Sequence, residues 1–277
     1  MLERAPQSDP GYPARVLKLV ATDLDGTLLR SDGTVSARTR VALTAVEERG
    51  VTVVFVTGRP VRWMESLWEH VGDHGLAICS NGGIVYDVAA HAVRTARPIP
   101  PGTGLEVARL VRQELPGTTF ALEKTTGFAK EPAFRERHNL PTHVEVGALE
   151  EIFDETTVKL LARHEEAEPE KFWAQVEALV GHLVTTTWSS LGALVEMSAA
   201  NVTKATTLAL LCDDLAVTPE EVVAFGDMPN DLAMLEWAGT SYAMAGAHPS
   251  VVALARRTAA GNDEDGVAAA LEELFAL

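Results

Sequence analysis

Only two cysteines occur among the 277 residues, Cys79 and Cys212. Each lies in an apolar or helical stretch, with no CxxC pair and no zinc-ligand spacing. That argues against a disulfide framework or structural zinc, and for two small buried hydrophobes in a reducing compartment. Positive charge is scarce too: 23 Lys and Arg against 39 Asp and Glu leave a formal net charge of −16. A nucleic-acid partner requires a basic surface that displaces counterions, so no nucleic acid is expected. A small phosphorylated molecule stays admissible, because a few local cations and a metal can reverse the sign within one cleft. No run approaches the roughly 18 apolar residues of a membrane span. Residues 1–15 hold Pro6, Pro10 and Pro13 without an apolar signal core, and read as a flexible tail. The Asn201-Val202-Thr203 triplet is therefore not read as glycosylated, and a cytoplasmic protein without membrane contact is expected. Internal repeats and low-complexity segments are missing as well.

What is present is a rhythm of short apolar runs. Residues 17–22 form one that stops at two acids and a glycine, as a buried parallel strand does where it opens onto a site. Residues 36–49 have helical apolar spacing, closed by Gly50. A second strand, 51–56, ends at Thr57-Gly58-Arg59-Pro60, and Pro60 suits the first turn of a helix through Trp63, Leu67 and Trp68. A third strand, 76–79, ends at Asn81-Gly82-Gly83. This order predicts a doubly wound parallel sheet, a Rossmann-like α/β core. The rhythm resumes with a helix at 206–215, a strand at 221–225, a helix at 231–237 and a strand at 240–244. Helices around 251–257 and 266–275 follow. Between the halves, strands at 119–123, 158–163 and 182–187 alternate with helices at 104–114 and 170–180, around an irregular acidic stretch at 165–169. The reading is a discontinuous core, residues 16–85 and 191–277, with an inserted α+β domain over 86–190.

Four clusters close predicted core strands, and in an open parallel sheet those ends form the ligand crevice. The first is Asp23-Leu24-Asp25-Gly26-Thr27. Residues two apart on an extended strand share a side, so both carboxylates can enter one site, where mutual repulsion favours a divalent cation such as Mg²⁺. Taken alone, the run reads equally well as a solvated acidic turn. The second, Thr57-Gly58-Arg59, places backbone N–H groups, a hydroxyl and a guanidinium at a helix start; it can cradle phosphate or merely cap the helix. The third is Lys204, a cation at a helix N-terminus, where the dipole slightly disfavours it. It is a solvated lysine unless a specific anion holds it. The fourth, Gly226-Asp227-Met228-Pro229-Asn230-Asp231, sends a strand into two acids and an amide, with Asp231 readable as a plain helix cap.

In this order the four clusters resemble the haloacid dehalogenase (HAD) superfamily of phosphatases, and most closely its Cof-type hydrolases, which carry a large α/β cap between the second and third motifs. Ser80-Asn81-Gly82-Gly83, Asp231-Leu232-Ala233-Met234-Leu235, Tyr242-Ala243-Met244 and Glu264-Asp265-Gly266-Val267-Ala268 extend the likeness over both core halves. The inserted segment matches in length and position only. The resemblance implies that Asp23 is a covalent nucleophile and Asp25 the general acid and base. It implies Mg²⁺ held by Asp23, the Asp25 backbone carbonyl and Asp227, and a phosphoryl group bound by Thr57, Gly58 and Lys204. Asn230 and Asp231 would position Lys204 and the metal's waters, and Arg59 and Asn81 would reach the substrate. Ala205 departs from the glycine usual beside the lysine.

The expected function is hydrolysis of a small phosphorylated metabolite, such as a sugar phosphate. A phosphotransferase or phosphomutase on the same scaffold is the nearest alternative, and a non-catalytic metabolite-binding protein a more distant one. A receiver-type signalling module is disfavoured by length, by the Asp-x-Asp pair and by the inserted segment. Trp173, Trp188 and Phe128 could face the substrate, but core packing is the expected place for each.

Overall fold

The computed structural model describes residues 16–64, 67–68, 75–137, 143–188 and 192–277. The proposed tail, 1–15, lies outside the described residues, as do positions 65–66 of the helix expected through Trp63, Leu67 and Trp68. Before that point Val61–Trp63 form a single 3₁₀ turn.

In chain order the strands are β1 (Leu19–Thr22), β2 (Thr52–Val56), β3 (Leu76–Cys79), β4 (Ile84–Asp87), β5 (Ala92–Ala96), β6 (Thr119–Lys124), β7 (Gly127–Lys130), β8 (Val144–Val146), β9 (Thr157–Arg163), β10 (Val184–Trp188), β11 (Leu194–Ala199), β12 (Val222–Gly226), β13 (Thr240–Met244) and β14 (Arg257–Ala259). The helices are α1 (Ala37–Glu47), α2 (Pro101–Glu114), α3 (Leu149–Ile152), α4 (Pro169–Val180), α5 (Lys204–Asp214), α6 (Leu232–Trp237), α7 (Pro249–Leu254) and α8 (Gly266–Phe275).

Eight strands form one sheet in the order β14-β13-β12-β1-β2-β3-β4-β5. Its first six strands are parallel, and β4 and β5 return antiparallel. Alternate side chains feed opposite faces, as the two-residue period of a strand requires. Val20, Phe55 and Phe225 pack under α1 and α8, while Ala21, Val54 and Ala224 pack under α5 and α6. Helices on both faces are why β1 is buried throughout rather than alternating. This is the doubly wound core expected from the sequence.

The second sheet, in the order β10-β11-β9-β6-β7-β8, is antiparallel except at β7–β8. One face packs on α2 and α4 through Val107, Val111, Phe172 and Val176. Its margins differ from the boundaries drawn from sequence. Residues 84–96 belong to the large sheet, because β4 turns back on β3 in a hairpin. At the other end, β11 belongs to the second sheet, so the return crossing follows Ala199 rather than residue 190. A further correction concerns Arg257, expected at the end of a helix around 251–257. The helix stops at Leu254, and Arg257–Ala259 pairs in parallel with β13 at the sheet edge. Cys79 and Cys212 are buried and unpaired, and burial pushes both thiols up to about 12, consistent with inert core residues.

Candidate active site

Register brings the motif residues to one edge of the large sheet. Thr22 lies opposite Phe225 on one side and Phe55 on the other, and Val56 opposite Ile78. The strands therefore end level, and Asp23, Thr57, Ser80 and Asp227 follow as neighbouring exits. The Asp23 N–H donates to the Phe225 carbonyl at 3.0 Å, which ties the first cluster to the fourth.

Lys204 is the hub. Its helix begins at Thr203, whose hydroxyl accepts from the Thr206 N–H, and the Thr207 hydroxyl pins the same turn to the Gly82 carbonyl at 2.8 Å. The Lys204 ammonium donates to Asp23 Oδ1 at 2.5 Å and to Asp231 Oδ1 at 2.7 Å. Burial works against this cation, but the charges of Asp23 and Asp231 outweigh it and hold the lysine pKa above its ordinary value. The helix dipole is overruled by two carboxylates within contact. Asp231 is saturated, since its Oδ2 also accepts from the N–H groups of Asp227 and Met228, each at 3.1 Å.

One lysine faces three acids. Burial pushes the Asp23 carboxyl well above the usual carboxylate range; Lys204 pulls it back, and Asp231 and Asp227 push it up again. Burial, and then the neighbouring Asp231 charge, raise Asp227 to about 6. Oxygens of Asp23, Asp227 and Asp231 lie within 4.8 Å of one another. A divalent, oxygen-seeking cation fits between Asp23 and Asp227, with Asp231 already committed to Lys204, and supplies the charge that a single lysine cannot. Thr27 orients Asp227 by donating to Oδ1 at 3.1 Å.

Gly26 makes room for this arrangement. Its φ is +78°, and a Cβ there would lie 2.3 Å from Asp227 Oδ2. Gly26→Ala is expected to cost about 1–3 kcal/mol by strain alone, read as a lower denaturation midpoint, and to displace Asp227.

The sequence model of the haloacid dehalogenase-like hydrolases matches residues 20–271. The chain belongs to this family. It is similar to a 5-amino-6-(5-phospho-D-ribitylamino)uracil phosphatase, YitU, of Bacillus subtilis: 28% identity over 94% of this chain and 98% of that one. It is 27% identical to the pyridoxal phosphate phosphatase YbhA of Escherichia coli, over 91% and 96% of the two chains. Its fold matches the crystal structure of TM0651 from Thermotoga maritima with a TM-score of 0.78 and 25% identity, covering 93% of this chain and 97% of that one. The enzyme class expected from the motifs, a phosphatase-type hydrolase, follows from this membership.

Within this HAD-type site, not every residue singled out from the sequence meets the cluster. The Asp25 carboxylate, more than half exposed, turns instead to Arg59, which donates to it at 2.8 and 2.5 Å. Thr57 is fully buried, and its hydroxyl accepts from the Arg59 N–H at 3.0 Å. At Gly58 a Cβ would come 3.1 Å from Asn81 Oδ1. Asn230 donates to Asn81 at 3.3 Å and not to Lys204, which leaves Asp231 as the residue that positions the lysine. Asn81, in left-handed backbone, donates onward to Thr187 and Glu196 of the second sheet at 3.1 and 3.0 Å. Ala205 packs into the core beside Leu208, inside the first turn of α5.

A cavity of about 550 Å³ opens from Asp23 and Asp25 toward the second sheet, lined there by Glu123, Lys159, Thr187 and Glu196. None of these was singled out from the sequence. The available signal was a lysine within an otherwise apolar run: β9 is buried throughout, so Lys159 needed a partner. Of the aromatic candidates, Phe128 is buried in a small cluster beneath Arg62, and Trp173 packs at the rim of the second sheet's core. The Trp188 side chain lies outside the described residues; Trp63 lines the cavity.

Proposed function

We propose that the protein is a Mg²⁺-dependent phosphatase that hydrolyses a small phosphorylated metabolite through an aspartyl-phosphate on Asp23. The observation that carries this reading is the Asp23 carboxylate itself. Lys204 holds Oδ1, while Oδ2 accepts no hydrogen bond from the described residues, at the mouth of a cavity. A buried carboxylate fixed through one oxygen, with the other free, is pre-aligned as a nucleophile.

Asp23 Oδ2 attacks phosphorus, and the bond from phosphorus to the leaving oxygen breaks. Asp25 gives that oxygen its proton, and then takes one from the water that attacks phosphorus and splits the acyl phosphate, releasing inorganic phosphate. Arg59 must let go of Asp25 for this, and the exposure of the Asp25 carboxylate lets water replace the lost contact. Lys204, the Thr57 hydroxyl and the Gly58 N–H are assigned to the phosphoryl oxygens, as phosphoryl transfer depends mainly on alignment and charge compensation. Asp23, Asp227 and the Asp25 carbonyl would hold Mg²⁺, which supplies Lewis-acid charge neutralisation when bound. The second sheet acts as a cap that encloses the leaving group and excludes water. The relatives named above act on small phosphorylated compounds by their names, which supports the same substrate size here.

Purified protein is expected to release stoichiometric phosphate from p-nitrophenyl phosphate with Mg²⁺ and to lose at least about 100-fold in rate with EDTA. Readdition of Mg²⁺ restores it. Full turnover under chelation would overturn the metal assignment, and phosphate passed to an acceptor instead of water would favour a transferase.

A further inference from the structure

The two ends of the cavity are built differently. Strand parity sends Phe120, Leu122, Leu160, Ala162, Val195 and Met197 toward α2 and α4, and leaves Glu123, Lys159 and Glu196 on the opposite face, lining the cavity together with Leu161 and Leu194. Glu123 and Lys159 stand directly opposite one another in register. Arg62 occupies both oxygens of Glu123, at 3.0 and 2.7 Å. Lys159, 2% exposed, donates to the Gly58 carbonyl at 2.8 Å and to Glu196 Oε2 at 2.6 Å. Asn81 donates to the same Oε2. Both donors choose one oxygen, so Glu196 Oε1 accepts no hydrogen bond from the described residues. Glu136 lines this end too. Glu123 and Glu196 thus compensate Arg62 and Lys159, and neither cation is left over for a further anion.

We infer that this end of the cavity selects the leaving group by charge: Glu196 Oε1 receives a hydroxyl or ammonium of a neutral or amine-bearing polyol, and a leaving group with a second anionic group is rejected. The inference rests on the phosphatase reading and deepens it. A second carboxylate or phosphate would meet cations already compensated by Glu123 and Glu196, and would sit beside an unpaired carboxylate oxygen in a partly enclosed cleft. A hydroxyl suits the same place, because it can donate to Glu196 Oε1 and accept from a remaining N–H of Lys159. Glu196 is thus a specificity residue, remote from the reacting atoms and joined to them through Asn81 and Asn230.

The test compares kcat/KM of the whole protein with Mg²⁺ on sorbitol 6-phosphate and 6-phosphogluconate. These share chain length and phosphoryl end, and differ at the far end by a carboxylate. Sorbitol 6-phosphate is expected to be favoured at least about tenfold, mainly through KM, and Glu196→Gln to shrink that ratio below about threefold. The wild-type ratio is informative whether or not the variant folds. Equal or faster turnover of 6-phosphogluconate by the wild type, with p-nitrophenyl phosphate still hydrolysed, overturns the inference alone. A ratio unchanged in a folded Glu196→Gln variant overturns the role of Glu196. No hydrolysis of any of the three compounds overturns the phosphatase reading and the inference with it.

Discussion

Asp23→Asn is expected to lower phosphate release by at least about 10⁴-fold while leaving the protein folded. Asparagine has the same shape and keeps an oxygen for the Lys204 ammonium, so the 2.5 Å contact has a neutral counterpart. It cannot form the acyl phosphate, and it offers a metal one weakly basic oxygen instead of a carboxylate. The fold should tolerate the change because burial and the neighbouring Asp231 and Asp227 already disfavour charge at this position. Lys204 keeps Asp231 as a partner. The decisive pair of measurements is the rate with p-nitrophenyl phosphate and the thermal midpoint of the same preparation. Lost turnover with a midpoint within a few degrees of wild type supports the nucleophile. Robust turnover in a homogeneous Asp23→Asn sample would sink the mechanism.

Lys204→Met should damage both activity and stability. Removing one partner of a buried ion network leaves the other charges uncompensated, at a cost of about 3–5 kcal/mol. Here two buried carboxylates, Asp23 and Asp231, lose their shared cation at once. Activity is expected to fall at least about 10²–10³-fold, since phosphoryl charge also goes unmatched. The stability loss carries a pH signature. With the lysine gone, the Asp23 carboxyl, already held above its unfolded range by burial, is pushed up further, so the folded state binds more protons than the unfolded one. Stability then increases as the pH falls toward the unfolded carboxylate range and drops as it rises through the folded pKa. Urea unfolding at neutral and mildly acidic pH should show the variant's deficit shrinking on the acid side. A deficit that does not change with pH would mean that the lost stability is a packing effect.

How much of this was legible in the sequence depended on whether the signal was local. The end of β1 could be read because an apolar run breaks abruptly into Asp23 and Asp25, and α1 because Ser36 caps it and Gly50 follows it. The strand at 257–259 could not, since apolar residues at 251–255 continue a helical spacing, and only the free edge of β13 draws the next segment into the sheet. The partnership of Asp25 was hidden as well. Two acids two residues apart suggest one shared cluster, but Arg59, from the next strand end, takes Asp25, which lines the same cavity as Asp23 without joining the Lys204 network.

By itself the sequence determined the α/β class, the membership in the HAD-like hydrolases, and the set of acids, hydroxyls and lysine to which the chemistry is assigned in our proposal. Those follow from short-range patterns: strand runs that stop at polar residues, and motifs whose members are neighbours in the chain. Only the tertiary structure decided which of the acids share Lys204, that Asn230 reaches Asn81, and that Lys159 and Glu196 meet Gly58 and Asn81 across the cavity. Those pairings join residues far apart in sequence. They are set by strand register and by which face each side chain takes, and a one-residue slip in register would reverse them.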